Sequence, residues 1–326
     1  MPMDPNTTAP AAGEETADRL GVVVGVDGSD QSISAARWAQ REAGARGVPL
    51  TLVTAYTIPA FWGYAGEVGG QLADDTALRE GVLTMLKSVE SKLEADGVRP
   101  ILRVEIGDAA GVLVDLSRDA DMLVSGARGR GGFLGRLLGS VSSALPGHAH
   151  CPAAIIPAGE DASRAGGDAA VVVGVDGSEQ GRAAALVAAE EARIRQAPLH
   201  MVSVVPPVAA STAWLSVSVD EQAMIDDLQQ RLEAGAAWMR HEHPDLTVTT
   251  ELLDGAPVEV LAAQTTTARL TVLGTRGLGG FAGALLGSTS QGVSVHAKGP
   301  VLIVPFREDD RLASRKDFGP LLDQQD

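Results

Sequence analysis

Two doubly wound α/β domains in tandem, each with a parallel sheet, are what this sequence predicts. Three observations carry the prediction. Short apolar runs alternate with helix-periodic segments along the whole chain, the pattern of right-handed βαβ units. A complete set of landmarks then recurs in order: Gly174-Val-Asp-Gly-Ser178 repeats Gly25-Val-Asp-Gly-Ser29, Ala197-Pro-Leu199 repeats Val48-Pro-Leu50, and Gly274 repeats Gly126. Their offset changes by only about one residue across the domain, which marks internal duplication, because a local motif would lose register. Finally, each half contains an apolar run, a glycine-rich stretch and a helix start, in that order: Ser125 to Ser140 and Leu273 to Ser288.

The elements follow in sequence. Residues 1–20 are acidic and rich in Pro, Ala and Thr, with no basic and apolar leader pattern, and read as a disordered tail. The first domain spans 21–158. Gly21 to Asp27 is a buried strand, and Asp27-Gly28-Ser29 turns into a helix with a face of Ala35, Ala36, Trp38, Ala39 and Ala43. Leu50 to Ala55 is the second strand. An irregular segment runs from Tyr56 to Asp75, and a helix with Leu78, Val82, Met85, Leu86, Val89 and Leu93 on one face extends to about Asp96. Ile101 to Glu105 is the third strand, Val112 to Ser117 a helix, Met122 opens the fourth strand and Ala153 to Ile156 is the fifth. Residues 159–169 form a linker by composition, 170–307 the second domain, and 308–326 an acidic tail without an evident core.

Composition narrows the function. The 326 residues are 45% apolar, enough for two cores, and carry a net charge of −16. That charge argues against a nucleic-acid partner, which needs a basic footprint. No apolar run is long enough to span a bilayer, so the expectation is a cytoplasmic protein without a membrane partner. One cysteine, Cys151, excludes an internal disulfide framework. Carboxylates are absent from 122–159 and from 260–307, so the glycine stretches are positive islands, with Arg128, Arg130 and Arg136 in the first and Arg276 in the second.

Strand, glycine loop and helix N-terminus together form the layout that holds phosphate. Glycine lets backbone amides come close, and the helix dipole favours an anion. In an open α/β sheet such a site opens beyond the carboxyl ends of the strands, so Asp27 and the first glycine loop share one crevice, and Asp176 and the second loop another. Gly277 to Ala282 also satisfies the dinucleotide fingerprint, but it follows the wrong strand and lacks the downstream acid, and the first copy breaks the pattern at Leu134. No Walker lysine motif occurs. The histidines of His148-Ala-His150 and His241-Glu-His243 read as structural, since the first cluster is replaced in the repeat by His296-Ala-Lys298 and the second precedes Pro244 at a helix end.

The loops fit Gly126-x2-Gly129-x9-Gly139-Ser140 and Gly274-x2-Gly277-x9-Gly287-Ser288. On these residues the chain resembles the universal stress protein family, whose ATP-binding signature is Gly-x2-Gly-x9-Gly-Ser/Thr. The resemblance covers almost everything from Gly21 to Phe306. It implies five strands per domain and one ATP in each, with Mg2+ as an optional companion. The amides of Gly129 and Gly139 and the Ser140 hydroxyl would hold phosphates in the first domain, and Gly277, Gly287 and Ser288 in the second. Arg128, Arg130 and Arg276 would add charge, and Val141 and Thr289 would follow in the helix start. Asp27 and Asp176 would contact the nucleotide or a cation, and Ala55 and Val204 would offer backbone groups to adenine.

Each feature also has a plain structural reading. The glycines could serve turns, Ser140 and Ser288 could be N-caps, and the aspartates could form Asx-turns. The cluster of Tyr56, Phe61, Trp62 and Tyr64 reads equally as a lid, as a surface for an unknown protein partner, or as a loop over its own core. The leading expectation is a nucleotide-responsive binder. The alternatives are a slow ATPase or adenylyl-transferring enzyme, and an interaction platform with partly degenerate sites. Apolar fifth strands, Ala153 to Ile156 and Val301 to Val304, are expected at sheet edges, where pairing would join the halves as an intrachain pseudo-dimer or build a whole-chain homodimer.

Overall fold

The computed structural model describes residues 19–58, 76–129, 138–159, 169–206, 221–278 and 285–313. Strands and helices alternate: β1 (Gly21–Gly25), α1 (Asp30–Arg46), β2 (Leu50–Tyr56), α2 (Thr76–Glu90), β3 (Ile101–Ile106), α3 (Ala109–Leu116), β4 (Ala120–Gly126), α4 (Ser140–His148) and β5 (Ala153–Ile156). The second half repeats the series: β6 (Val171–Gly174), α5 (Glu179–Ile194), β7 (Leu199–Val205), α6 (Glu221–Glu242), β8 (Val248–Asp254), α7 (Pro257–Gln264), β9 (Leu270–Gly274), α8 (Ser288–His296) and β10 (Val301–Val304), followed by α9 (Asp310–Ala313).

All strands form one ten-stranded sheet in the order β3-β2-β1-β4-β5-β10-β9-β6-β7-β8. Pairing within each half is parallel. Where the halves meet, β5 and β10 run antiparallel, with Leu302 opposite Ala154. The fully apolar edges Ala153–Ile156 and Val301–Val304 thus cover each other, which satisfies both backbones and buries both strands. Strand order reverses between β1 and β4, and between β6 and β9, which fixes the two switch-point crevices.

The two faces of the sheet are built differently. On one, a single continuous core runs through both halves, from Val22, Ala36 and Leu52 to Ala188, Met201 and Leu302. Alanines on α1 (Ala35, Ala36, Ala39, Ala43) and on α5 (Ala184, Ala185, Ala188, Ala189, Ala192) are almost wholly buried, and their small side chains let both helices lie close to the sheet. On the other face each half keeps its own cluster, around Leu113, Leu123 and Leu145 in the first and around Leu261, Leu273 and Ile303 in the second.

A ring of four charges ties α1 to α5. Arg46 donates to both carboxylate oxygens of Glu191, the longer bond being 2.6 Å, and Arg195 reaches Glu42 at 2.6 Å. Each arginine also pairs with the glutamate one turn earlier, Arg46 with Glu42 and Arg195 with Glu191. The four side chains are only 6–11% exposed. Burial opposes the charge on Arg46, but Glu191 and Glu42 outweigh it and raise its affinity for the proton.

Two sequence expectations need correction. The helix expected to reach Asp96 stops at Glu90, because buried Gln40 of α1 captures the chain beyond it. Its amide nitrogen donates to the carbonyls of Glu94 and Val98, and its oxygen accepts from the Glu94 amide. The C-terminal tail expected to have no core instead adds a helical turn, α9, which buries Leu312 against the shared core. The expected N-terminal tail lies outside the described residues except for Arg19 and Leu20, the latter bonded to Asp119 and Thr51.

Cys151 lies two residues before β5 and is 1% exposed. Burial pushes its thiol up to about 12 from 9.0. The folded chain therefore keeps a proton that the unfolded chain loses above about pH 9, so this group lowers stability progressively from there towards pH 12. At pH 8 a disulfide reagent such as Ellman's should leave Cys151 untouched in the native protein and titrate it fully in guanidinium. Rapid native reaction would show that the strand junction opens.

Candidate nucleotide site

The site starts at the end of β1, where Asp27 makes an Asx-turn: its Oδ1 accepts from the Ser29 amide at 3.0 Å and from the Ser29 hydroxyl at 2.6 Å. Ser29 in turn caps α1 by accepting from the Ser32 amide. The structural reading of Asp27 is thus correct, and the carboxylate has a further neighbour. A Cβ on Gly129 would lie 2.4 Å from Asp27 Oδ2, and one on Gly277 would lie 2.2 Å from Asp176 Oδ2. Both glycines are glycine because a strand-end carboxylate occupies the space a side chain would need. In the second half the Leu278 amide donates to Asp176 Oδ2 at 2.8 Å while the Ser178 amide donates to Oδ1. The aspartates hold the glycine loops against the sheet.

The mouth of each loop is pinched shut. Gly139 donates its amide to the Ala127 carbonyl at 2.8 Å, and Gly287 donates to Thr275 at 2.7 Å. Ser142 and Ser290 reinforce the clasps through bonds to Ala127 and Gly274. This corrects the role assigned to the Gly139 and Gly287 amides, which are engaged in closing the loop and do not face a ligand.

What faces outward is the first turn of the next helix. Helices α1, α3 and α5 are capped by the side chains of Ser29, Asp108 and Ser178. Helices α4 and α8 begin at Gly139 and Gly287 with no side-chain cap. The first-turn amides of α4, from Ser140, Val141 and Ser142, point their partial positive charge at whatever lies in front of them.

In the first half, a cavity of about 350 Å³ lies in front of them. That volume falls within the range of small-molecule sites. Its walls include Asp27, Ala55, Gly126, Arg128, Gly129, Gly139, Ser140 and Val141, so the structure brings together eight residues that the sequence singled out. Arg130 lies outside the described residues, as do Arg136, Phe61, Trp62 and Tyr64. Val26, Thr54, Leu113 and Ser125 also line the cavity and were not singled out. Ser125 is 3% exposed, and its hydroxyl has no hydrogen-bond partner among the described residues.

The second half sets Asp176, Val204, Gly274, Arg276, Gly277, Gly287, Ser288 and Thr289 at the corresponding strand ends and helix start. Arg128 and Arg276 are both exposed at the loop entrances. Neither half groups three metal-ligating side chains among the described residues. No helix of the described residues is long and apolar enough to cross a membrane.

Comparison with known proteins agrees with this architecture. The model of the universal stress protein family matches twice, over residues 21–157 and 169–305. Universal stress protein Rv2623 of Mycobacterium tuberculosis is 36% identical over 303 residues, covering 87% of this chain and 96% of its own. Rv1996 of the same organism is 33% identical over 313 residues, covering 89% and 96%. A crystal structure of a universal stress protein from Archaeoglobus fulgidus superposes with a TM-score of 0.61 at 20% identity, covering 89% of this chain and 97% of that one. The chain belongs to the universal stress protein family, and carries its domain twice.

Proposed function

We propose that this protein binds an adenine nucleotide, ATP above all, and acts as a nucleotide-responsive regulator. One observation carries the reading: a ligand-sized cavity ends on an uncapped helix N-terminus, with an arginine at its entrance. Phosphates are placed against the first turn of α4, where Ser140 adds a hydroxyl and Arg128 a charge. The base extends towards Ala55 and Thr54 at the end of β2. Asp27 is the carboxylate on the cavity wall and would hold a Mg2+ that arrives with the phosphates. The second half repeats the frame through Asp176, Arg276, Ser288 and Thr289, and is the second site.

The nucleotide serves as a ligand whose occupancy shifts the population of loop conformations, and with it affinity for a protein partner. The side chains support binding more than turnover. Asp176 accepts from backbone amides with both oxygens and Asp27 accepts from Ser29, so these carboxylates brace the loops and the side chains offer little to activate water.

Titration of the full chain with MgATP by calorimetry tests the proposal, together with mass and absorbance of any nucleotide released on denaturation. Saturable binding in the micromolar range or tighter is expected. A flat titration of folded, nucleotide-free protein would overturn it.

A further inference from the structure

The two crevices differ at the residue just before each glycine loop. On β4 the side chains facing α3 and α4 are Leu123 and then Ser125. On β9 the corresponding pair is Thr271 and then Leu273. The bulky residue has moved one rung towards the carboxyl end, where the crevice lies. Pairing of Val24 with Val124 sets Gly25 beside Ser125, and pairing of Val173 with Val272 sets Gly174 beside Leu273.

The consequence is visible over these glycines. The three nearest atoms to a Cβ on Gly25 would all belong to Leu113, the first at 2.7 Å. A Cβ on Gly174 would meet Leu273 at 2.7 Å and also Leu261, the counterpart of Leu113, at 3.1 Å. Leu273 therefore fills a place over the first strand of its half that Ser125 leaves open. Two other wall positions change the same way, from Ala55 to Val204 and from Ala109 to Pro257. Each replacement takes space from the second crevice.

Ser125 contributes chemistry as well as space. A buried hydroxyl without a partner is unusual, because leaving it unpaired costs free energy that a bond would recover. Among the described residues Ser125 is such a hydroxyl, and it lines the first cavity. We infer that Ser125 is the specificity-determining residue of the first site: its hydroxyl bonds a polar atom of the nucleoside, and the space it leaves admits the ligand more deeply than Leu273 allows in the second. This rests on the nucleotide-binding reading above and makes the two sites unequal, with the first the tighter.

Titration of the full chain with MgATP, fitted for two sites, tests the inference. Wild type should show a tight and a weak class. Ser125→Ala should weaken the tight class about threefold to tenfold and leave the weak class unchanged. Ser125→Leu should abolish the tight class, with circular dichroism and melting recorded as the fold control. Leu273→Ser should strengthen the weak class. Two indistinguishable classes in wild type, or a Ser125→Ala protein that binds as wild type does, would overturn the inference and leave nucleotide binding standing. Absence of any ATP binding would instead sink the function on which it rests.

Discussion

Replacing Glu42 with alanine should destabilise the protein by about 3–5 kcal/mol, read as a shift in the urea midpoint. Glu42 accepts from Arg46 on its own helix and from Arg195 on the other, and Glu191 does the same in mirror fashion. Removing one acid leaves two buried guanidiniums sharing a single carboxylate. With side chains 6–11% exposed, water does little to screen that imbalance. The Arg195 guanidinium also lies 6.0 Å over the Trp38 ring, which helps hold it in the ring of charges. Replacing all four ring members by apolar residues of similar size should recover most of the loss, since desolvation of the charges offsets much of their attraction. A loss below about 1 kcal/mol for the single variant would be the behaviour of a solvated surface pair and would remove the ring from the account of how the halves are joined.

Gly139→Leu should weaken nucleotide binding in the first half by about a hundredfold or more with the fold preserved. The backbone there has φ −77° and ψ 170°, which any residue adopts. Among the described residues the atoms nearest to a Cβ there belong to Arg128, Ser142 and Ala127, at 3.6–3.7 Å, which is ordinary contact. The described neighbours therefore do not require glycine at this position, although the residue lines the cavity at the helix end where phosphates are placed. A longer side chain would stand in their way. Gly129→Ala is the instructive contrast: collision with Asp27 should disturb loop and binding together, so its loss of affinity says little about contact with ligand. Should Gly139→Leu unfold the protein, the glycine is structural after all. Should it bind normally, the phosphates lie elsewhere.

Much of this was legible in the sequence, for reasons that differ by element. Apolar runs such as Ala153–Ile156 and Val301–Val304 mark strands buried on both faces, and their bounds coincide with β5 and β10. Duplication was legible because landmarks kept register over a whole domain. The end of α2 was not, because Leu93 keeps helical spacing while Gln40, more than fifty positions away, diverts the backbone. Glu42 and Arg46 read singly as an ordinary i,i+4 surface pair. Only their repetition as Glu191 and Arg195, on helices otherwise lined with alanine, signals a shared buried contact. At the site, spacing revealed the glycine loops and the aspartates but not which groups bond each other. Closure of the loop by the Gly139 amide and the fit of Gly129 against Asp27 are tertiary contacts. Ser125 stands one position ahead of the motif and reads as a small strand residue, distinctive only when set against Leu273.

Photolabelling the full chain with 8-azido-ATP, followed by peptide mapping, tests nucleotide binding at the first cavity. Label that saturates, and that unlabelled ATP displaces, should fall on peptides from the end of β2 and from β4 to α4, the walls of the first cavity. Displaceable label confined to other surfaces, or none at all, would show that the nucleotide does not occupy this cavity.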